Sequence, residues 1–133
     1  MDQNCVRDLL LYLSEQLAPT PTGKLPKPLK LKHHIDTPAL SAYAPEIIYD
    51  SAQYVVKKGF ADIAALDPKN IPRIAPRQYV FLSLSAKGVD YLRVIKDNTL
   101  WSKLKGRLSN VFEETVPNLI ALAAQLGASH LLS

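Results

Sequence analysis

Proline placement constrains this chain more than any other feature of its sequence, because a proline outside the first turn of a helix removes a backbone donor and stops the helix. Ten prolines fall within 133 residues. Pro19 and Pro21 close off a first helix over residues 3–17, where Val6, Leu9, Leu10, Leu13 and Leu17 recur at the spacing of one apolar stripe. Asp2 stands where its carboxylate can cap that helix. Between Ala18 and Pro28 four prolines and Gly23 impose an extended connection. Leu29 to Ile35 then begins with alternating leucine and lysine, which predicts a short strand with the leucines inward. Pro45 opens a second helix, since its missing N–H is no loss at the first helical position, and Gly59 ends it. Its wheel places Ile47, Ile48, Ala52, Val55 and Val56 on a core side, and Glu46, Tyr49, Asp50, Gln53, Tyr54 and Lys57 on the other.

Beyond Gly59, strand-forming residues over Phe60 to Leu66 and Gln78 to Leu84 flank a turn-rich tip, Asp67 to Pro76, and predict a long β-hairpin. In the second strand Val80, Leu82 and Leu84 alternate with Tyr79, Phe81 and Ser83, so one face packs on helices and the other faces outward. Ser85 can cap a helix running to about Lys96 with Val89, Leu92, Val94 and Ile95 apolar, and Gly88 weakens it slightly. Asp97 or Asn98 starts a further helix with Leu100, Trp101, Leu104 and Leu108 inward. Residues 111–126 form a last one, with Pro117 in its first turn and Gly127 at its end.

Helix, short strand, helix, long hairpin, helix is the order of a winged helix-turn-helix. The expected class is therefore α+β, mainly α, winged helix-turn-helix-like with a long hairpin wing and additional C-terminal helices. One domain is expected over residues 1–133, with a core at 1–96 and a helical extension at 97–133. An apolar content of 47% supports one ordinary core, and no run approaches the ~18 apolar residues of a membrane span. With a polar N-terminus, this points to a cytoplasmic protein without a membrane partner. The single cysteine, Cys5, rules out an internal disulfide.

Particular residues sharpen the topological reading. Val6-Arg7-Asp8-Leu9-Leu10-Leu11-Tyr12-Leu13, Glu46-Ile47-Ile48-Tyr49, Val55-Val56-Lys57-Lys58-Gly59-Phe60, the run from Leu82 to Leu92 and Ile95-Lys96-Asp97-Asn98-Thr99-Leu100-Trp101-Ser102-Lys103 together resemble the bacterial and prophage family catalogued as domain of unknown function 2513. The resemblance covers most of the chain. It implies a winged-helix-like fold and a phage, prophage or mobile-element origin, and brings no activity or catalytic residues with it. Ala44-Pro45 departs from the polar cap expected of relatives, and residues 18–38 are richer in proline and lysine.

A formal charge of +4 favours a polyanionic partner, here double-stranded DNA. Lys57 and Lys58 at the end of the second helix and Lys69, Arg73 and Arg77 on the wing tip can meet phosphates, while Tyr49, Gln53 and Tyr54 can reach bases. Glu46 and Asp50 on the same helix face oppose this, because phosphates repel carboxylates unless one accepts from a cytosine amino group. They favour the alternative of an interaction module that binds a host or phage protein through the tyrosine-bearing helix face. Lys24, Lys27, Lys30 and Lys32 make residues 24–32 the most basic segment. His33, His34 and Asp36 are metal-ligand types, but adjacent histidines in a strand point to opposite faces and no second cluster completes a set, so no metal is expected. Without a nucleophile elbow or a glycine-rich phosphate loop, neither an enzyme nor a cofactor is expected. Leu119, Ile120, Leu122, Leu126, Leu131 and Leu132 exceed the needs of one packed helix face and suggest a homodimer.

Overall fold

The computed structural model describes residues 1–19 and 21–127. A first helix, α1 (Gln3–Gln16), starts where expected, with the Asp2 carboxylate accepting from the Cys5 amide at 3.0 Å. It buries Val6, Leu9, Leu10 and Leu13. The second, α2 (Pro45–Lys57), has proline in its first turn and no side-chain cap from Ala44. It ends in a Schellman motif: Gly59 takes φ +75°, its amide donates to Val56 at 3.1 Å, and the Phe60 amide donates to Val55 at 3.0 Å. Phe60 and Val55 are fully buried.

Three strands, β1 (Leu29–Lys30), β2 (Ala61–Ile63) and β3 (Val80–Leu84), form an antiparallel sheet in the order β1-β3-β2. Leu29 and Ile63 both pair with Phe81, one from each side, and all three are buried. This cross-strand row explains which face of β3 turns inward. Tyr79 and Phe81 carry the burial, whereas Val80 and Leu84 are half-buried and Leu82 is 42% exposed.

Both outer strands are shorter than the expected 29–35 and 60–66. Residues Pro76–Gln78 fold as a 3-10 helix, so β3 starts only at Val80, and neither neighbour can extend past its partner. The last contacts run from the Leu31 amide to Tyr79 and from the Ala64 amide to Val80. The wing between β2 and β3 folds into two 3-10 helices, Pro68–Arg73 and Pro76–Gln78, with Asp67 capping the first.

After β1, backbone bonds from residues 34, 37, 40 and 43 each reach back three residues, to 31, 34, 37 and 40. This chain of tight turns fills the place of the helix that precedes the candidate recognition helix. Leu31 and Leu40 anchor it in the core. Tyr43 donates to the Asp8 carboxylate at 2.5 Å, and the Tyr12 hydroxyl and His34 Nδ1 share a hydrogen bond of 2.6 Å.

A helix α3 (Ala86–Ile95) follows β3. The Gly88 amide donates to the Ser85 hydroxyl at 3.1 Å, which in turn donates to the Gly59 carbonyl at 2.5 Å. One residue thus caps α3 and ties it to the end of α2. The order helix, strand, turns, helix and hairpin, with the first strand closing on the returning strand of the hairpin, is a winged-helix arrangement. The molecule is α+β and mainly helical, with further helices toward the C-terminus.

The chain divides into two compact units, Met1–Val89 and Asp90–Ser133. In the second, α4 (Asn98–Arg107) is capped by Asp97, whose carboxylate accepts from the Leu100 amide at 2.8 Å. The expected helix over 111–126 is broken. Val111–Glu113 is a 3-10 helix capped by Asn110, and α5 (Val116–Gln125) begins after its own cap, Thr115. Two capping side chains in close succession, with Pro117 in the first turn of α5, account for the break. Phe112 lies between Trp101 and Tyr91, with ring centroids 5.8 and 6.0 Å away, and the Tyr91 hydroxyl donates to the Glu114 carbonyl. No helix among the described residues is long and apolar enough to cross a membrane.

Candidate nucleic-acid interface

Helix α2 positions the candidate base-reading residues, and its rotation decides which share a surface. The buried arc is Ile48, Ser51, Ala52 and Val55: three of the five expected core residues lie within it, while Ile47 is 39% exposed and Val56 half-buried at its edges. Small side chains at this contact bring the helices close along a narrow arc: Cys5 of α1 approaches the Ile47 carbonyl at 3.9 Å, and Ser51 and Ala52 lie inward. Opposite this arc, Glu46, Asp50, Gln53 and Lys57 project outward along one line of the helix.

Tyr49 and Tyr54 do not share that line. Five residues apart, they are separated by about 140° around the axis and flank it on opposite sides. Tyr49 turns toward the wing, where the Arg77 guanidinium lies 5.3 Å from its ring centroid. Tyr54 packs against Phe60 at 6.5 Å between centroids, and the Lys58 ammonium stands 5.9 Å from the Tyr54 ring. The Lys58 carbonyl accepts from Lys87, whose ammonium also lies 5.2 Å from the Phe60 ring.

The wing cations separate as well. Lys69 and Arg73 sit on the exposed 3-10 helix at the tip. Arg77 belongs to the second 3-10 helix and returns to the base of the wing. The eight candidate residues therefore fall into four groups: Tyr49 with Arg77, Gln53 with Lys57 on the outward line, Tyr54 with Lys58 on the far flank, and Lys69 with Arg73 at the tip.

Lys30 and Lys32 belong to the most basic segment of the sequence but not to the expected site. The β1–β3 register sets Lys30 opposite Val80 and carries Lys32 toward Gln78, so both join Arg77 around a concavity of about 210 Å³, together with Tyr79. Burial raises the Tyr79 hydroxyl above its usual range. Alternating charge in 29–32 was the available signal; the partner that makes it a site lies over forty residues away. Among the described residues no three His, Cys, Asp or Glu side chains gather as a metal-ligand set. His33 ends a 3-10 helix, Leu31–His33, and His34 falls in the turn after it, rather than in the expected strand.

The chain matches the family described as "Hypothetical protein (DUF2513)" over residues 1–111, and it belongs to that family. The matched span takes in the whole first unit and α4. No curated protein and no solved structure matches it.

Proposed function

We propose that this is a winged-helix DNA-binding protein of phage or prophage type, an accessory or regulatory factor without enzymatic activity, acting in the cytoplasm. The observation that carries this reading is the placement of Arg77 over Tyr49, which makes the wing base and one flank of α2 a single cationic and aromatic surface. Arg77, with Lys57, Lys58, Lys69 and Arg73, meets phosphates, and Tyr49, Gln53 and Tyr54 stand nearest to bases. Gel-shift or anisotropy titration of duplex DNA tests it: Arg77→Glu is expected to weaken binding at least tenfold, and binding unchanged by that reversal would count against the reading.

A second reading follows from the outward carboxylates. Glu46 and Asp50, exposed beside the exposed Ile47, suit a host or phage protein better than a phosphate-lined groove. Charge reversal at Arg73 and Arg77 separates the two, because it spares a partner held by Glu46, Ile47 and Asp50, away from the Tyr49 flank that Arg77 covers. Pairing of two copies through the C-terminal apolar residues belongs to the proposal as well. There Leu119 is buried, Ile120, Leu122 and Leu126 are half-buried, and Leu131 and Leu132 lie outside the described residues.

A further inference from the structure

We infer that Lys30, Lys32 and Arg77 form a phosphate-binding groove at the base of the wing, and that backbone phosphates of the bound nucleic acid occupy it. This rests on the DNA-binding reading above and adds a surface to its phosphate contacts. The three cations come from segments far apart in sequence and converge because β1 pairs with β3 directly after the 3-10 helix that carries Arg77.

Four observations favour an anion there. No acidic residue lines the concavity, whose other walls are Gln78, Tyr79 and Val80. Lys30 and Lys32 are exposed, and neither has a salt bridge among the described residues, so their charges are balanced only by solvent ions or by a bound anion. Arg77 is held against the Tyr49 ring, which pre-orients a guanidinium fork suited to two phosphate oxygens. The concavity, about 210 Å³, is several times the roughly 30 Å³ share of a water molecule, so a phosphate group can enter.

The surroundings favour a phosphodiester chain. Glu46 and Asp50 repel phosphates from the outward line of α2, whereas the groove lies to the side of that line and shares Arg77 with the Tyr49 flank. Backbone seated in the groove therefore passes the wing-side flank of α2 before reaching its carboxylates. The predicted contact is sequence-independent and steeply salt-dependent.

The test uses the full chain and a fluorescein-labelled random duplex. Lys30→Gln with Lys32→Gln is expected to weaken binding about tenfold or more at 100 mM salt. It should also reduce the slope of log K against log salt by roughly two, near 0.9 for each lost phosphate contact. Arg93→Gln with Arg107→Gln removes the same charge elsewhere and is expected to leave the slope unchanged. Both lysines are exposed, and an unaltered urea midpoint confirms that the variant folds. Unchanged affinity and slope in the lysine variant would overturn the groove while leaving the DNA-binding reading in place. Absence of wild-type binding at 50 mM salt would overturn both; amide shifts at residues 30–32 and 77–78 on adding inorganic phosphate would then assign the groove to free phosphate.

Discussion

A Cβ added at Gly88 would come within 2.1 Å of the Phe60 carbonyl oxygen, which is backbone and cannot swing aside. Helix propensity alone says the reverse, that alanine there gains about 1 kcal/mol. Gly88→Ala is expected to cost roughly 1–3 kcal/mol or more by overpacking. Gly106→Ala, where a Cβ meets nothing within 4 Å, should gain up to about 1 kcal/mol in α4. Urea midpoints of the two variants check this, and a stabilised Gly88→Ala would show that α3 does not lie so close to Phe60. The half-buried Tyr43 hydroxyl and the buried Cys5 thiol make a second residue-scale prediction. Burial, followed by its bond to Asp8, raises the Tyr43 hydroxyl far above its usual 10.0, and burial raises the Cys5 thiol from 9.0 to about 11. Folded values above unfolded ones mean that this stability is fully present below pH 9 and lost as pH rises through 9 to 11 for Cys5 and from 10 upward for Tyr43. The urea midpoint should stay flat from about pH 6 to 8.5 and fall above pH 9, less steeply beyond pH 10 in Tyr43→Phe; a midpoint that rises above pH 9 would contradict the assignment. Asp2 as a cap was legible in the sequence because a cap is a local device; the Gly88 and Tyr43 contacts were not, because their partners arrive by folding.

At the scale of elements, Ser85 joins two of them. Its hydroxyl accepts from Gly88 and donates to the Gly59 carbonyl, so Ser85→Ala is expected to cost about 1–2 kcal/mol. Threonine should restore most of the loss and aspartate only part, since a carboxylate can cap α3 but cannot donate to Gly59. Equal rescue by aspartate in thermal unfolding would remove the Gly59 bond from the account. The outward line of α2 carries the element-scale functional prediction. Glu46→Gln with Asp50→Asn removes two charges that oppose phosphates and is expected to tighten DNA binding several-fold at 50–100 mM salt. Weaker binding in that variant would mean that a carboxylate takes part in recognition. Periodicity located α1 and α2 to within about a residue, and Pro45 and Gly59 set the ends of α2. It placed Ile48, Ala52 and Val55 of α2 inward as found, but drew the buried face too wide at Ile47 and Val56 and left out Ser51, which is polar in sequence yet small enough to lie at the α1–α2 contact. Strand lengths also escaped it: where β3 begins depends on the 3-10 turn at Pro76–Gln78, which limits both neighbours at once.

For the whole molecule, the winged-helix order was readable because helices and hairpin follow one another along the chain, each with its own punctuation. The candidate site was readable only in pieces. Its candidate cations and tyrosines could be named from α2 and the wing, yet the structure divides them into four groups and brings Lys30 and Lys32 beside Arg77 through a pairing between distant segments. Pairing of copies is tested by the light-scattering mass at high micromolar concentration, where two chains are expected; a mass of one chain would withdraw it. The central claim is that this winged helix binds duplex DNA, and its most direct test is anisotropy of a random duplex across about 50 to 200 mM salt, where several phosphate contacts weaken affinity steeply. The account predicts a steep slope in the wild-type chain that flattens when Arg73 and Arg77 are changed to glutamate. No binding at 50 mM salt, or a slope untouched by that reversal, would contradict it.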